Sequence, residues 1–540
     1  MESIMNHSDS SIRIITNESI IFQEDFDAPE EIHDNDAYST TFINLTLISC
    51  LLLAYFVKQN RLYCLPESAG ALIIGVVVGG IVRLVTNDLQ LFVFSPEVFF
   101  FVFLPPIMFE AGYSLNRKDF FENFGAINLF AMLGTIISTF VVGLLTFYVA
   151  KQGWIKDIDK ENPMEALLFG ALISAVDPVA TLSIMGNADL QVNPLLYSLV
   201  FGESVLNDAV AVVLFKTFHK YYSPDGPEWR EAEIPAACMA FASVTVLSII
   251  LGVILGLVAS FMYKHTQLSD YPKLETSLLF CFCYLCYSTA ESMNLSGIMA
   301  IFFQGIILSH YNSYNLSPAA HVASEQIFST LATVAETTVF LYMGMGVFTG
   351  RFANWDILFS VLALSFCILG RLLNIFPLSL LANLCRNKRE NKITCKMQGV
   401  LWFAGLRGAI AFALAENMPG PNKDVYATAT LSICIFTTVV CGGLTDRVLK
   451  LADMKYTTGL ELDTDSEDFE PLSIPSSPRM SERVYDGVKG VWKDFDDKYL
   501  KLLFGGSVEA GGDNHYGRRH YEMASRNSSG SFDTDDIAET

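Results

Sequence analysis

The chain has 540 residues, of which 51% are hydrophobic and only 17% charged, where a soluble protein carries about a quarter charged. Its formal net charge of −22 argues against nucleic acid as a partner. The apolar residues gather in charge-free runs of about 18 or more, the length that crosses hydrocarbon, so composition alone places the chain in the membrane class.

The chain opens on an acidic stretch, Glu24 to Asp36, read as a solvated tail over residues 1–40, lumenal or extracellular. It has no basic segment leading into an apolar one, so no cleaved signal peptide is expected, and the first span is its own targeting signal. Thirteen spans are predicted, at residues 41–57, 68–85, 97–113, 124–150, 164–186, 195–217, 236–263, 274–292, 295–311, 323–349, 356–383, 397–417 and 424–444. The expected fold is all-α and polytopic, with residues 41–450 as the membrane domain. Residues 451–540 form a cytosolic, mostly disordered tail, in which apolar positions at helical spacing (Val484, Val488, Val491, Trp492, Phe495, Tyr499, Leu502) predict an amphipathic helix over 481–504. It suits a membrane surface or a partner such as a cytosolic regulator. The basic loop Arg386, Lys388, Arg389, Lys392 and Lys396 puts that end of its spans in the cytosol, together with Arg117 and Lys118. The 11 cysteines lie mostly in apolar runs without zinc spacing and read as packing residues.

If spans one to six recur as spans eight to thirteen, the seven-span offset inverts the second copy, and the site lies between the copies. The fifth and twelfth spans then correspond. Both are interrupted by Pro or Gly beside a charge: Ser174-Ala175-Val176-Asp177-Pro178 and Gly405-Leu406-Arg407-Gly408-Ala409. Two broken, crossing helices are therefore expected.

Charge inside the bilayer costs several kcal/mol, about 3 on insertion scales, so each such residue calls for a function or a partner. An unwound turn at Asp177 offers main-chain oxygens, such as the Val176 carbonyl, beside a carboxylate, a shell suited to a hard cation. A structural role is compatible with this: Asp177 also suits the N-cap of a half-helix. The sixth span reads Phe201-Gly202-Glu203-Ser204-Val205-Leu206-Asn207-Asp208. Glu203 and Asn207 share one helix face, as do Ser204 and Asp208, each four apart. So many polar groups in one span point to Asp208 as a carrier that holds a proton or a dehydrated monovalent cation, never both. Arg407, always protonated, needs a partner, and Glu203 is the expected one, leaving Asp208 free. Arg371, Glu291 and Glu336 line the path or pair with each other. Glu110 lies near a span end.

These segments resemble the eukaryotic sodium/proton exchangers of the monovalent cation/proton antiporter superfamily, over about residues 41–450. Phe100-Phe101-Val102-Phe103-Leu104-Pro105-Pro106 is similar to that family's amiloride-associated segment. The resemblance implies a homodimer whose core moves against a dimerisation domain, ion binding at Asp208, Asp177, Ser204, Asn207 and Val176, and a Glu203–Arg407 pair. Asn207-Asp208 in place of two aspartates implies one cation per proton. Leu295 to Ala300, Ser309-His310-Tyr311 and Phe495 to Leu500 resemble the endosomal and Golgi branch, which accepts Na⁺ and K⁺ and sets lumenal pH. A plasma-membrane exchanger and a monovalent cation channel are the alternatives, although no filter-like loop is present. A receptor or scaffold has no need of the buried acids. No nucleophile–base pair, phosphate loop or metal motif suggests an enzyme, and no cofactor is expected.

Overall fold

A computed structural model describes residues 40–61, 65–85, 95–155, 158, 160, 162–177, 179–186, 192–222, 234–348, 355–386, 392–452 and 495–505. Pro178, the acidic start of the chain and residues 481–494 of the predicted tail helix lie outside the described residues. Among the described residues there is no strand.

Each of the thirteen expected spans coincides with helix. In chain order these are α1 (Thr40–Gln59), α2 (Glu67–Val85), α3 (96–113), α4 (Arg117–Lys151), α5a (Met164–Ser174) and α5b (Val179–Met185), and α6 (Pro194–Lys220). There follow α7 (Ile234–His265), α8 (Pro272–Ser292), α9 (Gly297–Tyr311), α10 (Pro318–Gly346), α11 (Ile357–Cys385), α12a (Cys395–Phe403) and α12b (Ala409–Glu416), and α13 (Lys423–Ala452). Among the described residues, 8 of these helices are long and apolar enough to cross a membrane on length and composition alone.

Local signals set the starts. Proline occupies the first turn of α3, α6, α8 and α10, where a missing N–H costs nothing. The side chains of Ser95, Asn193, Ser296, Ser317, Asp356 and Thr394 each accept a bond from a first-turn amide. Within α3, a wide π-turn, Phe99–Phe103, precedes Pro105 and Pro106, which cannot donate to the preceding turn.

The helices pack as two bundles. One joins α2, α3, α7, α8, α9 and α10. Its most extensive crossing is α2 on α10, where Gly75 and Gly344 face each other so closely that a Cβ on either would strike backbone. The other bundle holds α4, α5, α6, α11, α12 and α13. In it the order of a long helix, a broken helix and a long helix occurs twice, as α4–α5–α6 and as α11–α12–α13. Helix α6 is its centre, and its middle is almost wholly buried.

A last helical stretch, α14 (495–504), lies against the ends of α7 and α9. Phe495, Tyr499 and Leu502, three of the stripe positions predicted from spacing, are exposed on it.

Candidate functional site

The two breaks meet. The Asp177 backbone N–H donates to the Leu406 carbonyl at 2.9 Å, joining one interrupted helix to the other. The Asp177 carboxylate then serves both second halves. Oδ1 accepts from the Val179 amide at 3.0 Å, at the start of α5b, and Oδ2 from the Ala409 amide at 3.4 Å, at the start of α12b. Negative charge is favoured there, because unpaired amides and the helix dipole present positive potential.

The first halves end in unpaired carbonyls, and arginines meet them. Arg407 Nη1 donates to the Ser174 and Ala175 carbonyls at 2.8 and 3.1 Å. Its own backbone amide donates to Thr437 Oγ1 at 3.1 Å, which fixes the second break against α13. Arg371 Nη2 donates to the Leu401 carbonyl at 2.8 Å, near the end of α12a. Each break thus has a cation at its carbonyl end.

This arrangement corrects the expected pairing. Glu203 forms its ion pair with Arg371 Nη1, both side chains being buried, while Arg407 Nη1 is bound to main-chain carbonyls. Sequence spacing names the carboxylate but not which of two buried arginines on later helices reaches it. Glu291 binds Lys216 at 2.7 and 2.9 Å and also accepts from the Gly297 amide at 3.0 Å. Lys216 is therefore a partner that no motif in the sequence singles out.

Asp208 is 6% exposed, and its Oδ1 has no hydrogen-bond partner among the described residues; the same holds for Asn207 Oδ1. The Val176 main chain adjoins the Asp208 carboxylate. Ser204, one turn earlier, donates to the Val200 carbonyl at 2.8 Å, so its hydroxyl oxygen keeps lone pairs for other use. Asp208 and Asp177 both line a cavity of about 400 Å³, with Glu110 of α3 and Glu336 of α10 on other parts of its wall. Ser183, Ser114 and Tyr197 line its far part and are exposed, so the cavity reaches the face of the protein at which α3 ends and α4 and α6 begin. Ser204 and Asn207 are not among its lining residues.

A second cavity, about 910 Å³, lies toward the other ends of α6 and α8, bordered by Lys216 and Glu291. The segment flagged as inhibitor-associated divides between the two. Leu104 lines the first cavity and Phe100 and Phe101 the second, while Pro105 and Pro106 are buried beside them.

Broken helices crossing beside a buried acid, with bundles on either side, define a secondary transporter of the ion-exchanging kind. The family described as "Sodium/hydrogen exchanger, transmembrane" matches residues 47–451. Among its relatives, human sodium/hydrogen exchanger 8 is 39% identical over 428 residues, covering 77% of this chain and 72% of that one. Mouse sodium/hydrogen exchanger 9 is 33% identical over 521 residues, covering 85% and 80%. A solved sodium proton antiporter from Methanocaldococcus jannaschii shares the fold, with a TM-score of 0.59 at 16% identity over 78% of this chain and 99% of that one. The chain belongs to the sodium/hydrogen exchanger family and is a multi-pass membrane protein.

Proposed function

We propose that the chain exchanges Na⁺ or K⁺ for H⁺ at Asp208, one for one, by alternating access. The observation that carries this reading is the Asp208 oxygen that is buried without a hydrogen bond beside an open cavity. An orphaned carboxylate oxygen at such a place calls for a ligand, and both a proton and a dehydrated monovalent cation satisfy it. The ligands for the cation are the carboxylates of Asp208 and Asp177, the Ser204 hydroxyl, the Asn207 amide oxygen and the Val176 carbonyl. Arg407 Nη1 is bound to the Ser174 and Ala175 carbonyls rather than to Asp208. A single carboxylate neutralised by one cation or one proton gives electroneutral exchange.

The bundle containing α6 moves against the bundle containing α10 in this scheme, within a homodimer surrounded by lipid. The open cavity faces the cytosol, on the side given by Arg117 and Lys118. The segments Leu295 to Ala300, Ser309 to Tyr311 and Phe495 to Leu500, which resemble the endosomal and Golgi branch, favour an endosomal or Golgi membrane, where the exchanger sets lumenal pH and cation content. Glu110 and Glu336 attract cations into the cavity, and the tail takes a cytosolic regulator.

The test is flux in proteoliposomes holding the full chain under an imposed pH gradient, with Na⁺, K⁺ and Li⁺ compared. Uphill cation movement is expected, and its loss in Asp208→Asn at unchanged expression. Movement that never runs uphill indicates a channel. Exchange that survives Asp208→Asn removes the carrier assignment.

A further inference from the structure

The stretch 495–505 is held by side chains from the ends of α7 and α9 and from the turn that follows α9. Asp496 Oδ1 accepts from the Tyr311 hydroxyl at 2.6 Å, and Oδ2 lies 3.2 Å from His310 Nε2. Lys264, at the end of α7, donates to the carbonyls of Lys501 and Leu502 at 3.2 and 2.5 Å. These carbonyls belong to the last turn of α14, which a cation stabilises. Asn315 donates to the Phe504 carbonyl at 2.7 Å, and the Phe504 ring packs against Tyr311 and Phe261, at 6.2 and 6.3 Å between centroids. Asp496, at 6% exposure, is buried in this contact.

The other ring nitrogen of His310 extends the chain of contacts. Nδ1 lies 3.1 Å from Arg117 Nη1, which also donates to the Ser309 carbonyl at 2.8 Å. A guanidinium only donates, so Nδ1 accepts and the neutral ring carries its proton on Nε2, aimed at Asp496. A carboxylate on one ring nitrogen fixes the tautomer and strengthens the other nitrogen as an acceptor. Arg117 is the first residue of α4, in the bundle that holds Asp208, whereas His310 belongs to α9 in the opposite bundle. Ser114, three residues before Arg117, lines the open cavity.

We propose that residues 495–505 form a clip which, through Asp496, His310 and Arg117, fastens the two bundles together on the open side and so restrains exchange. Closing the cavity moves α4 past α9, which requires Arg117 to leave His310 and Ser309. Docking of Asp496 makes that departure harder. The clip needs no ligand and no second protein. It gives the tail a direct grip on the transport cycle, resting for its consequence on the exchange proposed above.

Hydrogen–deuterium exchange of the full chain in nanodiscs reads the dock, and proteoliposome flux reads its effect. In Asp496→Ala and in Lys264→Ala, amide protection over 495–505 is expected to fall at least tenfold. The maximal exchange rate is expected to rise at least twofold at unchanged apparent cation affinity. Neither residue touches the ion cavity. Protection that persists in both variants overturns the dock. Protection lost with the rate unchanged or lowered overturns the restraint. The dock is read without any transport, so failure of the exchange assignment is told apart from failure of the clip.

Discussion

Asp177 receives the Ala409 amide at 3.4 Å while also holding the Val179 amide at 3.0 Å, so one carboxylate caps two half-helices from different parts of the chain. Removing an N-cap acceptor costs about 1 kcal/mol per helix, and two are lost together in Asp177→Ala. The melting temperature of the purified protein in detergent is expected to drop by several degrees, with exchange abolished. Asp177→Asn keeps one acceptor oxygen and is expected to recover part of the thermal stability without recovering exchange. Equal melting in the two variants contradicts the capping role.

Glu203 and Arg371 are expected to depend on each other. Breaking a buried pair leaves one charge unpaired and costs about 3–5 kcal/mol. Glu203→Gln and Arg371→Gln should each reduce the yield of folded protein, as judged by size-exclusion profiles before and after heating. The double variant should lie closer to the unmodified chain than the sum of the singles. Arg407→Gln combined with Glu203→Gln should show no such rescue, because Arg407 serves the carbonyls of Ser174 and Ala175 instead.

The sequence carries the spans, the two interruptions and the buried acids, since each leaves a local mark: an apolar run, a Gly or Pro beside a charge, a carboxylate where none is affordable. Partner choice leaves no such mark. Arg371 and Arg407 are 36 residues apart, and only the crossing of α11 and α12 over α6 decides which reaches Glu203. The Asp177 cap was visible as an alternative, but its second client, Ala409, depends on the two breaks meeting. Lys216 was hidden because a lysine near a span end reads as a snorkelling residue. The exposed stripe of α14 follows its spacing at Phe495, Tyr499 and Leu502, whereas the grip of Asp496 on Tyr311 rests on contacts about 185 residues away in sequence.

Lys216 and Glu291 join α6, which carries Asp208, to α8 in the opposite bundle, on the side away from the open cavity. Both side chains are partly exposed, 44% and 22%, so the pair contributes little to folding. If the bundles move, the pair must break in each cycle. Lys216→Ala is then expected to leave the melting temperature unchanged and to alter the exchange rate by about two- to fivefold, equivalent to about 0.5–1 kcal/mol. Raising the ionic strength should shrink the difference between the two proteins, because screening weakens the pair. A salt-independent difference points to packing instead.

Gly408 gives the sharpest test of the crossing. Its φ of −146° is not in the left-handed region that favours glycine, and the pressure on this position is spatial. A Cβ built there would overlap the carboxylate of Asp177, which has no room to retreat while it holds both amides. Gly408→Ala should therefore push Asp177 off at least one cap. Exchange is expected to fall at least tenfold, with a smaller thermal loss than Asp177→Ala. Gly399, whose surroundings are open within 4 Å, supplies the control: Gly399→Ala adds the same methyl group at the other half of the helix and should change neither quantity. Full exchange in Gly408→Ala would mean that Asp177 can leave Ala409 freely, and the shared cap would then have no part in shaping the ion site.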